Sequence, residues 1–197
     1  MNIVSNNCIG GRLYEVRNEQ FANQFIWARI LHSDFIYLIN NFDNIDFSNV
    51  SFNLEYYKSK DYQNVICKLD NKISMHFTHY VYNENYETPY KKDLDVLYKN
   101  ILEYSKDKYF NRLKRMSGKP IFVYSFNGVN SKSEEYIKRI HDVLKIKDKK
   151  IYIIAYKSVE INSEIPENIK IIYLDDDILN STTANIAKNI KDFIKDE

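Results

Sequence analysis

The sequence predicts an α/β fold: a mainly parallel sheet flanked by helices, with an antiparallel hairpin around residues 64–82. Three observations carry that expectation. The last third holds continuous apolar runs, "KPIFVYSF" (119–126), "KKIYIIAY" (149–156) and "NIKIIYL" (168–174), of the kind buried on both faces of a parallel sheet. Between the first two lies "SKSEEYIKRIHDVL" (131–144), a helical pattern that supplies a right-handed crossover. Upstream, "NVICKL" (64–69) and "KISMHFTHYVY" (72–82) are extended segments joined by Asp70-Asn71, a hairpin-type pair.

The remaining elements follow in order. Residues 1–4 read as a first strand, and Cys8 through Asn18 as the helix after it. "NQFIWARI" (23–30) is a compact apolar-aromatic stretch holding the single Trp. "SDFIYLINNF" (33–42) has Ser33 or Asp34 to cap it and Phe35, Leu38, Ile39 and Phe42 at helical spacing. "FSNVSFNLEYY" (47–57) holds a short strand. In 72–82, Ile73, Met75, Phe77 and His79 share one face and His76, Thr78 and Tyr80 the other. A long helix spans 91–116, with Leu94, Leu97, Ile101, Leu102 and Leu113 recurring every three or four residues, and Ser117-Gly118 ends it. Ser131 and Glu134 are spaced as a capping box for the next helix, and residues 181–195 form a closing one.

The 197 residues suffice for one domain, 1–197, since no composition break marks a linker and no repeat is visible. With 28 Lys and Arg against 27 Asp and Glu, no global positive field recruits nucleic acid or acidic membranes. No apolar run long enough to span a bilayer and no leader pattern is visible, so a cytoplasmic location is expected. Two cysteines, Cys8 and Cys67, make neither a disulfide framework nor a zinc knuckle, and no metal is expected.

Cys8 is the first candidate for chemistry. A helix N-terminus lowers a thiol pKa, and Gly10 and Gly11 let backbone amides approach a bound carbonyl as an oxyanion hole. The alternative is a small buried residue beside a turn whose glycines only shape the backbone. A thiol nucleophile needs a base, and the histidines are His32, His76, His79 and His141. His32 and His141 sit in or beside amphipathic helices and have plain readings. Arg112 and Arg115, three apart in a basic helix end, form a candidate grip for a nucleotide, coenzyme A or sugar phosphate; the alternative is a solvated helix terminus. Asp175, Asp176 and Asp177 follow a buried strand, but as adjacent residues they splay apart and read as a helix cap.

The order "IVSNNCIGGRLYEV", "NQFIWARI", "ISMHFTHYVY", then "KYFNRLKRM" leading into "KPIFVYSF" resembles a poorly characterised bacterial family of papain-like cysteine peptidases. It is similar also to a neighbouring family of unknown function, linked to exopolysaccharide biosynthesis, that begins with a Ser-Asn-Asn-Cys turn. The resemblance implies Cys8 as nucleophile and His79 as its base. It departs from the pattern at "FIW" (25–27), where a proline is missing and Ile26 replaces an acid, and at Tyr80, where an acid is usual. Asn127, just past a strand end, is the candidate third member.

The function expected is therefore a thiol-dependent acyl hydrolase or acyltransferase. Cys8 would attack, His79 would move the proton, Gly10 and Gly11 would hold the oxyanion, and Arg112 and Arg115 an anionic part of a small-molecule or glycan-linked substrate. Surface-polysaccharide metabolism is the setting the resemblance implies, and coenzyme A a possible acyl carrier. The rival is a non-catalytic α/β module that binds a sugar, nucleotide or protein through aromatics such as Tyr80, Tyr82, Tyr86 and Tyr90. Oligomeric state is left open by the sequence.

Overall fold

A computed structural model describes residues 1–57, 62–77, 94–126 and 133–195. Two four-stranded sheets organise them. The parallel sheet has the order β1 (Asn2–Ser5), β6 (Pro120–Ser125), β7 (Ile151–Tyr156) and β8 (Ile169–Leu174). The other has the order β2 (Arg29–Ile30), β5 (Ile73–Phe77), β4 (Tyr62–Leu69) and β3 (Val50–Tyr57), antiparallel throughout. The α/β expectation holds, and the hairpin proves to be the centre of a full second sheet.

The apolar runs explain the parallel sheet. Every residue of β1 and β7 is buried, as are five of six in β6, because helices and loops cover both faces. The edge strand β8 alternates buried and exposed positions instead. At the opposite edge, where no described strand flanks β1 on its outer side, side chains bond to its backbone. Tyr14 Oη accepts from Ile3 N–H and donates to Met1 O, while Asn23 Nδ2 donates to Ile3 O. Tyr14 lies on α1 (Ile9–Arg17), which ends at Asn18, a residue suited to the left-handed conformation it adopts (φ 55°).

Asp70 and Asn71 both have positive φ, as a tight hairpin demands, and Lys72 N–H closes the turn on Leu69 O. In β5, Ile73, Met75 and Phe77 are buried while Ser74 and His76 are half-buried, the parity the sequence indicates. Helix α2 (His32–Asn41) buries Phe35, Leu38 and Ile39. Its Phe35 meets Phe122 and Tyr124 of β6. Phe42, just past α2, touches Phe122, Phe25 and Phe47, so one aromatic cluster joins the parallel sheet to the segments leading into the antiparallel one.

Helix α3 (Leu94–Leu113) ends three residues earlier than the periodicity suggests, and Gly118 takes the left-handed φ of 74° in the link to β6. Helix α4 (Glu134–Leu144) is capped by Ser133, whose Oγ accepts from Tyr136 N–H; Ser131 lies outside the described residues. A short α5 (Asp176–Leu179) and α6 (Thr183–Ile190) complete the chain, α6 packing on α1. No helix among the described residues is long and apolar enough to cross a membrane.

Candidate active site at the carboxyl ends of β1 and β6

In a parallel sheet the residues just past the carboxyl ends of strands are free to face a ligand. Here β1 runs into Asn6, Asn7 and Cys8, and β6 ends at Ser125. Asn6 binds this end together. Its side chain donates to Ser125 O and accepts from Ser125 N–H, both at 2.9 Å, extending the β1–β6 ladder by one rung, while Asn6 O accepts from Ile30 N–H of β2. The two sheets therefore meet at one residue.

A cleft of about 510 Å³ opens there. Its walls include Asn6 and Ser125 at the strand ends, Arg29 and His32 from the β2–α2 segment, and Glu135 and Arg139 from α4. Leu31, 52% exposed, adds an apolar patch on the same wall. Arg139 Nε donates to Glu135 Oε1 at 2.7 Å, and the guanidinium lies near enough to the Tyr124 hydroxyl to act on it electrostatically. Arg29 has no carboxylate partner among the described residues.

His32 lies within this wall, its side chain 15% exposed. Nδ1 lies 2.7 Å from Tyr124 Oη and Nε2 3.2 Å from Asp142 Oδ2. One neutral tautomer satisfies every group: Tyr124 donates to Nδ1, and Nε2–H donates to Asp142. Burial opposes charge on Asp142, but the His32 hydrogen bond and the Lys145 ammonium outweigh it and hold the carboxyl below its ordinary value. Burial also pushes the Tyr124 hydroxyl well up, so it remains a donor. This chain was not legible in the sequence, where His32 reads as an ordinary residue preceding a helix.

The residues singled out from the sequence fare differently. Cys8 is the N-cap of α1, as expected, and half-buried. Burial raises its thiol pKa, and the nearby guanidinium groups of Arg12 and Arg29 only partly offset this, so the resting sulfur is protonated. No described side chain hydrogen-bonds to it. His79, Asn127, Tyr80, Tyr82, Tyr86 and Tyr90 lie outside the described residues. His76 is half-buried on β5, opposite Arg29 in register, and His141 is exposed on α4.

The glycines have packing roles. Gly10 N–H donates to Ser5 Oγ at 2.9 Å, which occupies the amide an oxyanion would use, and a Cβ on Gly10 would fall 2.5 Å from that oxygen. A Cβ on Gly11 would meet the Trp27 ring at 2.8 Å. Arg112 and Arg115, expected to share an anion grip, lie in different surroundings. Arg112 is 4% exposed, donates to Ile26 O at 3.2 Å and lies 5.2 Å from the Phe21 ring; Arg115 is exposed in the turn beyond α3. Helical spacing placed them on one side, but α3 ends between them. Asp175 pairs with Lys157, and Asp176 accepts from Ser158. Cys67 is buried in β4, where desolvation pushes its thiol pKa up.

The basic groups that do share a cleft are Arg29 and Arg139, from segments more than a hundred residues apart, which no local motif announces. The rule that strand carboxyl ends host sites was the available signal, applied to Ser125 and the first turns of α4. No curated protein matches the chain. Residues 1–95 match the model of a domain of unknown function (DUF1919), a stretch that carries β1, Cys8, Arg29, His32 and the whole antiparallel sheet but not the β6–α4 wall of the cleft.

Proposed function

We propose that the protein binds a small anionic molecule, of the sugar or nucleotide class, in the cleft at the carboxyl ends of β1 and β6. The observation that carries this reading is that Arg29 and Arg139 line one cleft at that position. Guanidinium groups hold carboxylates and phosphates through paired N–H donors, and a bound anion would meet both. Leu31 offers apolar surface to an uncharged part of the same ligand. Titration calorimetry against uronic acids, sugar phosphates and nucleotides tests it. Arg29→Ala is expected to weaken whichever ligand binds by tenfold or more, at unchanged melting temperature because Arg29 is exposed. Equal affinity in wild type and variant would sink the proposal.

A second reading is favoured by the position of Cys8 at the same strand end. It is thiol-dependent acyl transfer or hydrolysis, in keeping with the likeness to papain-like peptidases and with a cytoplasmic place in surface-polysaccharide metabolism. His79 takes the Sγ proton, the thiolate adds to the carbonyl carbon, and the tetrahedral oxyanion collapses as the leaving group recovers the proton from His79. Water or an acceptor hydroxyl then releases the acyl group from sulfur. Because burial raises the Cys8 pKa, iodoacetamide is expected to alkylate it slowly at pH 7 and to speed up only above the ordinary thiol value of about 8.5. Rapid alkylation at pH 6–7, lost in His79→Ala, would instead establish a paired thiolate and favour acyl chemistry over simple binding.

A further inference from the structure

The charges around the cleft can be counted against one another. Glu135 is bound to Arg139, and Asp142 is shared by His32 and Lys145. Arg12, which faces Cys8 from α1, is paired with Glu15 at 2.6 Å. Among the described residues that line the cleft, Arg29 alone lacks a counter-charge. The described lining residues thus carry a single uncompensated positive charge, while Lys138 acts on Glu135 from outside the lining.

From this, and resting on the anion-binding reading above, we infer that Glu135 sets the charge of the ligand: the cleft takes a singly charged anion, a carboxylate or a phosphodiester, and discriminates against a doubly charged phosphate monoester. A monoanion neutralises Arg29 and shares the outer N–H groups of Arg139 while Glu135 keeps Nε. A dianion brings a second negative charge beside the Glu135 carboxylate, with no further unpaired cation among the described lining residues to meet it, and like charges at such range repel. Arg139 is already engaged by the Glu135 carboxylate through Nε. Glu135 lies in the first turn of α4 with its side chain about half exposed, so replacing it removes charge without opening the core.

Glucuronate and glucose 6-phosphate form a matched pair of probes, since they differ at one carbon by carboxylate against phosphate monoester; dimethyl phosphate supplies the phosphodiester. At pH 7.5 the monoester carries close to two charges. In titrations of the full chain, wild type is expected to bind glucuronate at least tenfold more tightly than glucose 6-phosphate. Glu135→Gln is expected to tighten glucose 6-phosphate by at least tenfold and glucuronate by a smaller factor, so that the ratio between the two narrows. Stronger binding of dimethyl phosphate than of glucuronate would identify the phosphodiester as the preferred monoanion and equally support the inference. Wild-type affinities that do not differ between the matched probes, or a ratio that Glu135→Gln leaves unchanged, would overturn the role of Glu135 while leaving the cleft an anion site. Binding of none of the three probes by wild type, Glu135→Gln or Glu135→Ala would overturn both.

Discussion

Phe122→Ala is expected to lower the free energy of unfolding by about 3–5 kcal/mol, the range for removing a fully enclosed phenyl ring. Phe122 is completely buried on β6, and its ring lies 6.3 Å from that of Phe35 and 5.4 Å from that of Phe42. Phe42 in turn lies 5.0 Å from Phe47 and 6.2 Å from Phe25. The cavity would open in the cluster that joins β6 to α2 and to the approach to the antiparallel sheet, so neither sheet can relax into it alone. Urea unfolding followed by circular dichroism measures the loss, and Phe122→Leu, which keeps most of the volume, should cost roughly 1–2 kcal/mol. A loss under about 1.5 kcal/mol for the alanine variant would mean that the surrounding rings collapse into the space and that the two halves are less tightly keyed than described.

Arg112→Ala is expected to cost about 2–4 kcal/mol, through lost packing and an orphaned Ile26 carbonyl. The buried guanidinium lies near the Phe21 ring, and Phe21 also meets Tyr14 and Trp27, so the side chain braces the segment that backs α1. Arg112→Met preserves the stem and removes the charge, and should cost roughly 1–2 kcal/mol. The pair of variants separates bracing from ligand binding. Should Arg112→Ala melt like wild type yet lose affinity for an anionic ligand, the grip expected from the spacing of Arg112 and Arg115 would be restored and the bracing role abandoned.

The parallel sheet was readable because its strands bury both faces and so write unbroken apolar runs, such as "KPIFVYSF" and "KKIYIIAY". The hairpin was readable because Asp70-Asn71 favours the positive φ that a tight turn imposes. Strand β2 escaped notice because two residues, Arg29 and Ile30, carry no periodicity; β3 was legible only as a short strand within 47–57, because "VSFNLEYY" is half polar. Cys8 was placed correctly at the mouth of α1, but its protonation depends on burial by the rest of the fold, which local sequence does not encode. The same holds for His32. Its partners Tyr124 and Asp142 lie 92 and 110 positions away, and only the closed sheet brings them within hydrogen-bonding distance.

The pairing of β1 with β6 bears on how the chain is made. Asn2 aligns with Pro120 and Ser5 with Val123, so the first strand leaves the ribosome well over a hundred residues before its one neighbour among the described strands. At roughly 5–20 residues per second, that leaves an apolar strand unpaired for about 6–24 s of synthesis. During that interval the antiparallel sheet can close on itself, since β2 to β5 are consecutive in the chain. Nascent chains stalled before Pro120 should therefore be the species that chaperones hold and that aggregates most readily.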